Sequence, residues 1–65
     1  MKIIVNGTGR ELAATTLAQA LDELDYRAAM IATALNGRFV AAGSRAATVL
    51  ADGDALEIVA PMQGG

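Results

Sequence analysis

Residues 30–41 read MIATALNGRFVA: an apolar run, the pair Asn36–Gly37, and a second apolar run. Asn-Gly between two such runs is the strongest short-range signal of a β-hairpin, because a two-residue type I′ turn needs positive φ at both central positions. The segment therefore predicts strands over residues 30–36 and 38–41, paired antiparallel. Successive strand residues point to opposite faces, so Phe39 and Val40 cannot both enter one core. One of the two is turned outward as a candidate contact point.

Toward the N-terminus the period changes. In TTLAQALDELDYR, residues 15–27, Leu17, Leu21 and Leu24 recur at helical spacing with Ala18 and Ala20 beside them. An amphipathic helix of roughly ten residues accounts for this pattern. Thr16 followed three residues later by Gln19 has the form of a capping box, which fixes the helix start. Asp22, Glu23 and Asp25 fall late in the helix, where the macrodipole disfavours negative charge, and they read as a solvated acidic face. Further upstream, KIIVNGTGREL, residues 2–12, places β-branched residues directly before Asn6–Gly7–Thr8–Gly9 and predicts a second hairpin. The glycines there do not make a dinucleotide loop: that fingerprint needs glycine where Leu12 stands, and no helix opens directly afterwards.

Downstream of the central hairpin, AAGSRAATVLADGD, residues 41–54, is a connection with one helical turn after Ser44 and a sharp reversal at Asp52–Gly53–Asp54. The last strand is ALEIVA, residues 55–60, in which Leu56 and Ile58 alternate with Glu57 and Val59. Pro61 has no backbone donor and ends the ladder. The order is strand, strand, helix, strand, strand, strand. Three leucines on one helix face are buried most simply against Ile3, Val5, Leu56 and Ile58 of a mixed sheet, and a second long helix is lacking for a ferredoxin-like arrangement. The expected fold is α+β, a ubiquitin-like β-grasp: a mixed sheet of four to five strands with one main helix packed on one face. The domain spans residues 1–60, and residues 61–65 form a flexible tail.

Composition excludes several kinds of activity. The chain has 65 residues, one small domain, with fifteen alanines and only one Phe and one Tyr, so a few large side chains carry a thin core. Cysteine and histidine are absent, which removes disulfides, thiolate metal clusters and Cys–His or Ser–His catalytic pairs. No side-chain metal site or bound cofactor is expected. A net charge of −2 with five basic residues scattered singly argues against nucleic-acid binding. The apolar run Ile3–Val5 is too short for a signal-peptide core and nothing approaches a membrane span, so a cytoplasmic, free monomer is the expectation.

The chain closes on APMQGG, residues 60–65. At average glycine usage of about 7%, two terminal glycines arise by chance in roughly one chain in 200, so the pair is suggestive only in the context of its domain. That context is specific. VNG near the start, TLAQAL opening the helix, ALNGRFV in the middle and LADGDALEIVAPMQGG at the end, in order and over essentially the whole chain, resemble the ThiS family of sulfur carrier proteins of thiamine biosynthesis. Ala41–Ala42 stand where many relatives carry Pro-Arg, and Ser44–Thr48 lacks an aromatic residue often found there.

The resemblance implies a protein co-substrate in place of an enzyme. An E1-like adenylyltransferase (ThiF-type) would use ATP and Mg²⁺ to adenylate the carboxylate of Gly65, a sulfur donor system would convert it to a thiocarboxylate, and thiazole synthase (ThiG-type) would receive the sulfur. Gly64, Gln63 and Met62 would thread through the partners' channels. The outward member of Phe39 and Val40, with Met62, would form an apolar docking patch rimmed by Arg38, Arg45 and Glu57. Three other readings share parts of this pattern: a molybdopterin synthase small subunit, a ubiquitin-like protein modifier, and a plain binding module with incidental glycines.

Overall fold

The computed structural model describes residues 1–26 and 30–60. Its elements run β1 (Lys2–Val5), β2 (Thr8–Glu11), α1 (Leu17–Glu23), β3 (Ala32–Leu35), β4 (Arg38–Val40), a 3₁₀ helix (Ala42–Ala47) and β5 (Ala55–Val59). The five strands form one sheet in the order β2-β1-β5-β3-β4, with β1 and β5 parallel and the other pairs antiparallel. This is the mixed sheet with one main helix that the strand and helix periods predict.

Both Asn-Gly pairs make the expected turns. Asn6 and Gly7 have φ of 49° and 84°, and Asn36 and Gly37 have 51° and 83°, the left-handed pairs that a type I′ turn requires. The asparagines do more than turn the chain. The Asn6 side chain donates Nδ2–H to the Ile58 carbonyl at 3.1 Å and accepts the Ile58 N–H on Oδ1 at 2.8 Å, continuing the β1–β5 ladder past the end of β1. At the other end of β5, Asn36 donates to Asp54 Oδ1 at 2.9 Å and accepts the Ala55 N–H at 3.0 Å. The central strand is thus held by a turn asparagine at each end.

The helix begins as its sequence dictates. Thr16 accepts the Gln19 N–H at 3.2 Å while the Gln19 side chain accepts the Thr16 N–H at 3.3 Å, a complete capping box. It is shorter than the apolar period suggests, seven residues instead of roughly ten. Asp25 adopts φ of 69°, and the Tyr26 N–H donates to the Leu21 carbonyl at 2.8 Å and the Asp25 N–H to the Asp22 carbonyl at 3.0 Å. Those two bonds are a Schellman closure, with aspartate in the position usually given to glycine. Glu23 also departs from the solvated-face reading. Its Oε1 accepts the N–H groups of Ala13 and Ala14, each at 3.0 Å, and pins the β2–α1 connection under the helix end.

The core lies between α1 and one face of the sheet. Ile3, Val5, Leu12, Ala14, Leu17, Ala20, Leu21, Leu50, Leu56 and Ile58 are buried there, and Leu24 and Val40 pack at its margin. One buried polar side chain joins them: Thr33, whose hydroxyl donates to the Val40 carbonyl at 2.9 Å.

The Asp52–Gly53–Asp54 turn carries a pH dependence. The Asn36 amide and then the Ala51 N–H, which donates to Oδ2 at 2.8 Å, hold the Asp54 carboxyl below its ordinary range against a smaller opposing effect of burial. In the interval below the ordinary aspartate value of about 4, the unfolded chain binds this proton before the folded protein does. The stabilisation is complete at neutral pH and is lost as pH falls through the lowered value. The stability gap between the wild type and Asp54→Asn, read from denaturant midpoints, should be constant above about pH 5 and narrow at lower pH. A gap independent of pH down to the acid limit would show that the bond carries no linkage.

Candidate functional site

Because the strand period is two, the sheet has one face under the helix and one open face. Directly opposed residues share a face, so the register assigns each side chain. Thr33 opposes both Ile58 and Val40, and Leu35 opposes both Leu56 and Arg38: these belong to the helix side. Ala34 opposes both Glu57 and Phe39, and Ala32 opposes Val59: these belong to the open side, together with Ile4, which opposes Ala55. The alternative left open by the hairpin is thereby resolved. Phe39 is turned outward and 72% exposed, while Val40 packs against the core margin.

Register also separates residues that the sequence grouped around one patch. Glu57 lies in the same row as Phe39, across Ala34. Arg38 falls on the other side by alternation. Arg45, on the 3₁₀ helix, is half-buried beneath the sheet: its Nε donates to Thr33 Oγ1 at 3.1 Å and its Nη2 to the Ile31 carbonyl at 2.9 Å. These two arginines do not rim the Phe39 face, because one sits on the alternate face of an edge strand and the other is committed to the Thr33 hydroxyl and the Ile31 carbonyl. Apart from Glu57, the open side near Phe39 is apolar. Val59, 63% exposed, stands at the end of β5, and a shallow groove lined by Met30, Ile31, Ala32 and Val59 opens beside it. Local pattern does not single out Val59 or Met30 as contact residues, although the alternation in ALEIVA places Val59 on the face of Glu57.

The root of the tail is the best-held part of this surface. β5 is central, bonded to β1 on one side and β3 on the other, and its penultimate residue, Ile58, is gripped by Asn6. Ala32 opposes Val59 at the last register position. The strand that leads toward residues 61–65 is thus fixed on both edges, and Val59 at its end belongs to the open face. Met62, Gln63, Gly64 and Gly65 themselves, and the break assigned to Pro61, lie outside the described residues.

Among the described residues, no group of three or more His, Cys, Asp or Glu side chains could hold a metal ion. Among the same residues no helix is long and apolar enough to cross a membrane. The described surface offers a sheet face with exposed apolar side chains around Glu57 and an anchored strand end.

The ThiS family model matches residues 3–65. A crystal structure of a thiamine biosynthesis protein (ThiS) from Geobacter metallireducens is similar with a TM-score of 0.84 and 29% identity, covering 100% of both chains. An NMR solution structure of a thiamine biosynthesis protein from the same organism is similar with a TM-score of 0.79 and 29% identity, over 100% of this chain and 88% of the other. No protein of curated function matches.

Proposed function

The chain belongs to the ThiS family, and on that premise we propose that it is a sulfur carrier of thiamine biosynthesis that holds sulfur as a thiocarboxylate on Gly65. The observation that carries this reading is the family match, which runs through the Gly-Gly ending to residue 65. The structural similarity to thiamine biosynthesis proteins over the full chain supports it.

The chemistry explains why a protein without cysteine or histidine suits the task. A carboxylate is a poor acyl donor because its leaving group would be an oxide. An E1-like adenylyltransferase, using ATP together with Mg²⁺, would let a Gly65 carboxylate oxygen attack the α-phosphorus and expel pyrophosphate. The resulting acyl-adenylate carries AMP as a stabilised leaving group. Sulfide then attacks the carbonyl carbon, AMP departs, and the thiocarboxylate remains for transfer to thiazole synthase. Each step is performed on the chain by a partner, so this chain supplies a reactive end and a surface to hold it by.

The tail and the face divide this work. Gly64 and Gly65 lack side chains and can pass close to channel walls. Met62, unbranched and polarizable, can adapt to apolar grooves of more than one partner, and Gln63 adds a hydrogen bond. The open face of Phe39 and Val59 supplies the docking surface. Replacing Phe39 by Asp should weaken binding to the adenylyltransferase by about tenfold or more, the range of an interface anchor, while the unfolding midpoint stays near wild type because the ring is outside the core. Unchanged affinity would remove Phe39 from the interface.

The reading as a whole is tested by the intact mass after incubation with the activating enzyme, ATP and a sulfide source. The expected product has one oxygen replaced by sulfur. Covalent linkage to lysine amines of other proteins, with no such exchange, would instead identify a protein modifier.

A further inference from the structure

We infer that the open sheet face reads an arginine of the adenylyltransferase, held between the Phe39 ring and the Glu57 carboxylate. The inference rests on the proposed function for the identity of the partner and on the register for the site. Phe39, Ala34 and Glu57 form one row across β4, β3 and β5. At a strand spacing of about 4.8 Å the two outer residues are roughly 10 Å apart along the sheet, with only an alanine methyl between them. That notch matches a guanidinium, which lies within about 6 Å of a ring centroid in cation–π contact and closer still to a carboxylate.

Glu57 is the residue that makes a cation necessary. It stands in the middle of the central strand with Ala55 and Val59 beside it on the open face and Ala34 across from it. None of these side chains carries a donor. The Asn6 amide, at the adjoining end of β1, is already spent on the Ile58 backbone. Among the described residues the Glu57 carboxylate has no hydrogen bond or ion pair. Water satisfies it while the face is open. A partner that covers Phe39 on one side of it and Val59 on the other must cover Glu57 as well, and a carboxylate taken out of water without a counter-charge is strongly unfavourable. A cation in the partner's surface removes that penalty. Arginine answers the geometry better than lysine, because a planar guanidinium can donate two parallel bonds to the carboxylate while presenting its face to the ring.

The test is a binding measurement with the intact chain and its cognate adenylyltransferase, by calorimetry, on the wild type, Glu57→Gln, Phe39→Leu and the double variant, with unfolding midpoints recorded for each. Glu57→Gln keeps the shape and removes the charge, and affinity should fall by about 10-fold or more. Phe39→Leu keeps apolar area and removes the ring. The two losses should be non-additive, because both residues hold the same guanidinium. Glu57→Lys should abolish binding while unfolding at the wild-type midpoint, and changing the responsible arginine of the partner to Glu should restore affinity for that variant alone. Affinity of Glu57→Gln within twofold of wild type, or strictly additive losses, would overturn the shared-arginine site while leaving the carrier reading in place. Failure of the wild type to bind the enzyme, with no sulfur incorporated, would overturn the functional reading itself and with it this partner.

Discussion

A single serine appended to Gly65 should abolish thiocarboxylate formation while leaving the unfolding midpoint where it is in the wild type. The reacting carbon is then an amide carbonyl, its oxygen a far weaker nucleophile toward phosphorus than a carboxylate, and the new carboxylate sits one residue further on behind a Cβ. No side chain can substitute. The chain has no cysteine or histidine, and the described residues bring no group of His, Cys, Asp or Glu together that could hold a metal. Stability should not register the change, since β5 ends at Val59 and the added residue follows seven positions later. A surface alteration of that kind is worth within about 0.5 kcal/mol. The measurement pairs the intact-mass assay with a denaturation curve on the same preparation. Sulfur incorporation by the extended protein at the wild-type yield would show that Gly65 is not the modified residue. Deleting Gly65 provides the complementary arm: it leaves a carboxylate, on Gly64, but withdraws it by one residue, about 3.5 Å of reach, and conversion should fall with the fold again unaffected.

Legibility of this molecule from its sequence follows the range of each interaction. The two Asn-Gly turns, the Thr16–Gln19 cap and the alternation in ALEIVA are local devices, each complete within a few residues, and each is where the sequence places it. The fold follows from their order, and the family resemblance from motifs that the match over residues 3–65 bears out. What local pattern does not reveal is where polar side chains reach across the fold. Asn6 grips Ile58, Asn36 meets Asp54 and Ala55, Glu23 reaches back to Ala13 and Ala14, and Arg45 is bound to Thr33 and Ile31. Each of these is a free polar residue in a linear reading. Arg45 shows the consequence: as a lone cation near Phe39 in the sequence it looks like part of a docking rim, and in the sheet it lies beneath it. Phe39 and Val40 could not be told apart for the same reason, since alternation separates the two faces but only the pairing of Thr33 with Ile58 says which face is covered. The apolar period overestimates the helix because aspartate seldom closes a Schellman motif, and Asp25 does so here.

Leu56→Ala should unfold most of the protein at ambient temperature, and sulfur loading should be lost with it. Leu56 has no solvent exposure and lies on the central strand β5, on the helix side, opposing Val5 on one neighbour and Leu35 on the other. Truncating such a leucine costs about 2–5 kcal/mol, the transfer of the lost methyl groups plus the cavity they leave. The lower end applies where neighbours can close in. Here the surrounding core is rich in alanine and supplied by few large side chains, Ile3 and Leu17 among the fully buried ones, and strands bonded on both edges of β5 cannot move inward independently. The upper half of the range is therefore expected. Against it stands a total stability that, in a chain this short with a single core, rarely exceeds about 3–5 kcal/mol, so the variant retains little or none. The comparison that gives the experiment meaning is with Phe39→Asp, two strands away on the opposite face. Both variants should load sulfur poorly, but one through loss of the fold and the other through loss of the grip on a folded carrier. Circular dichroism on the two separates the causes: a native spectrum and cooperative melt for Phe39→Asp, and a largely unfolded one for Leu56→Ala that recovers as a stabilising osmolyte is added, with loading returning in step. Normal loading by an unfolded Leu56→Ala would mean that the partner recognises the Gly-Gly tail alone, and would remove the open face of the sheet from the function altogether.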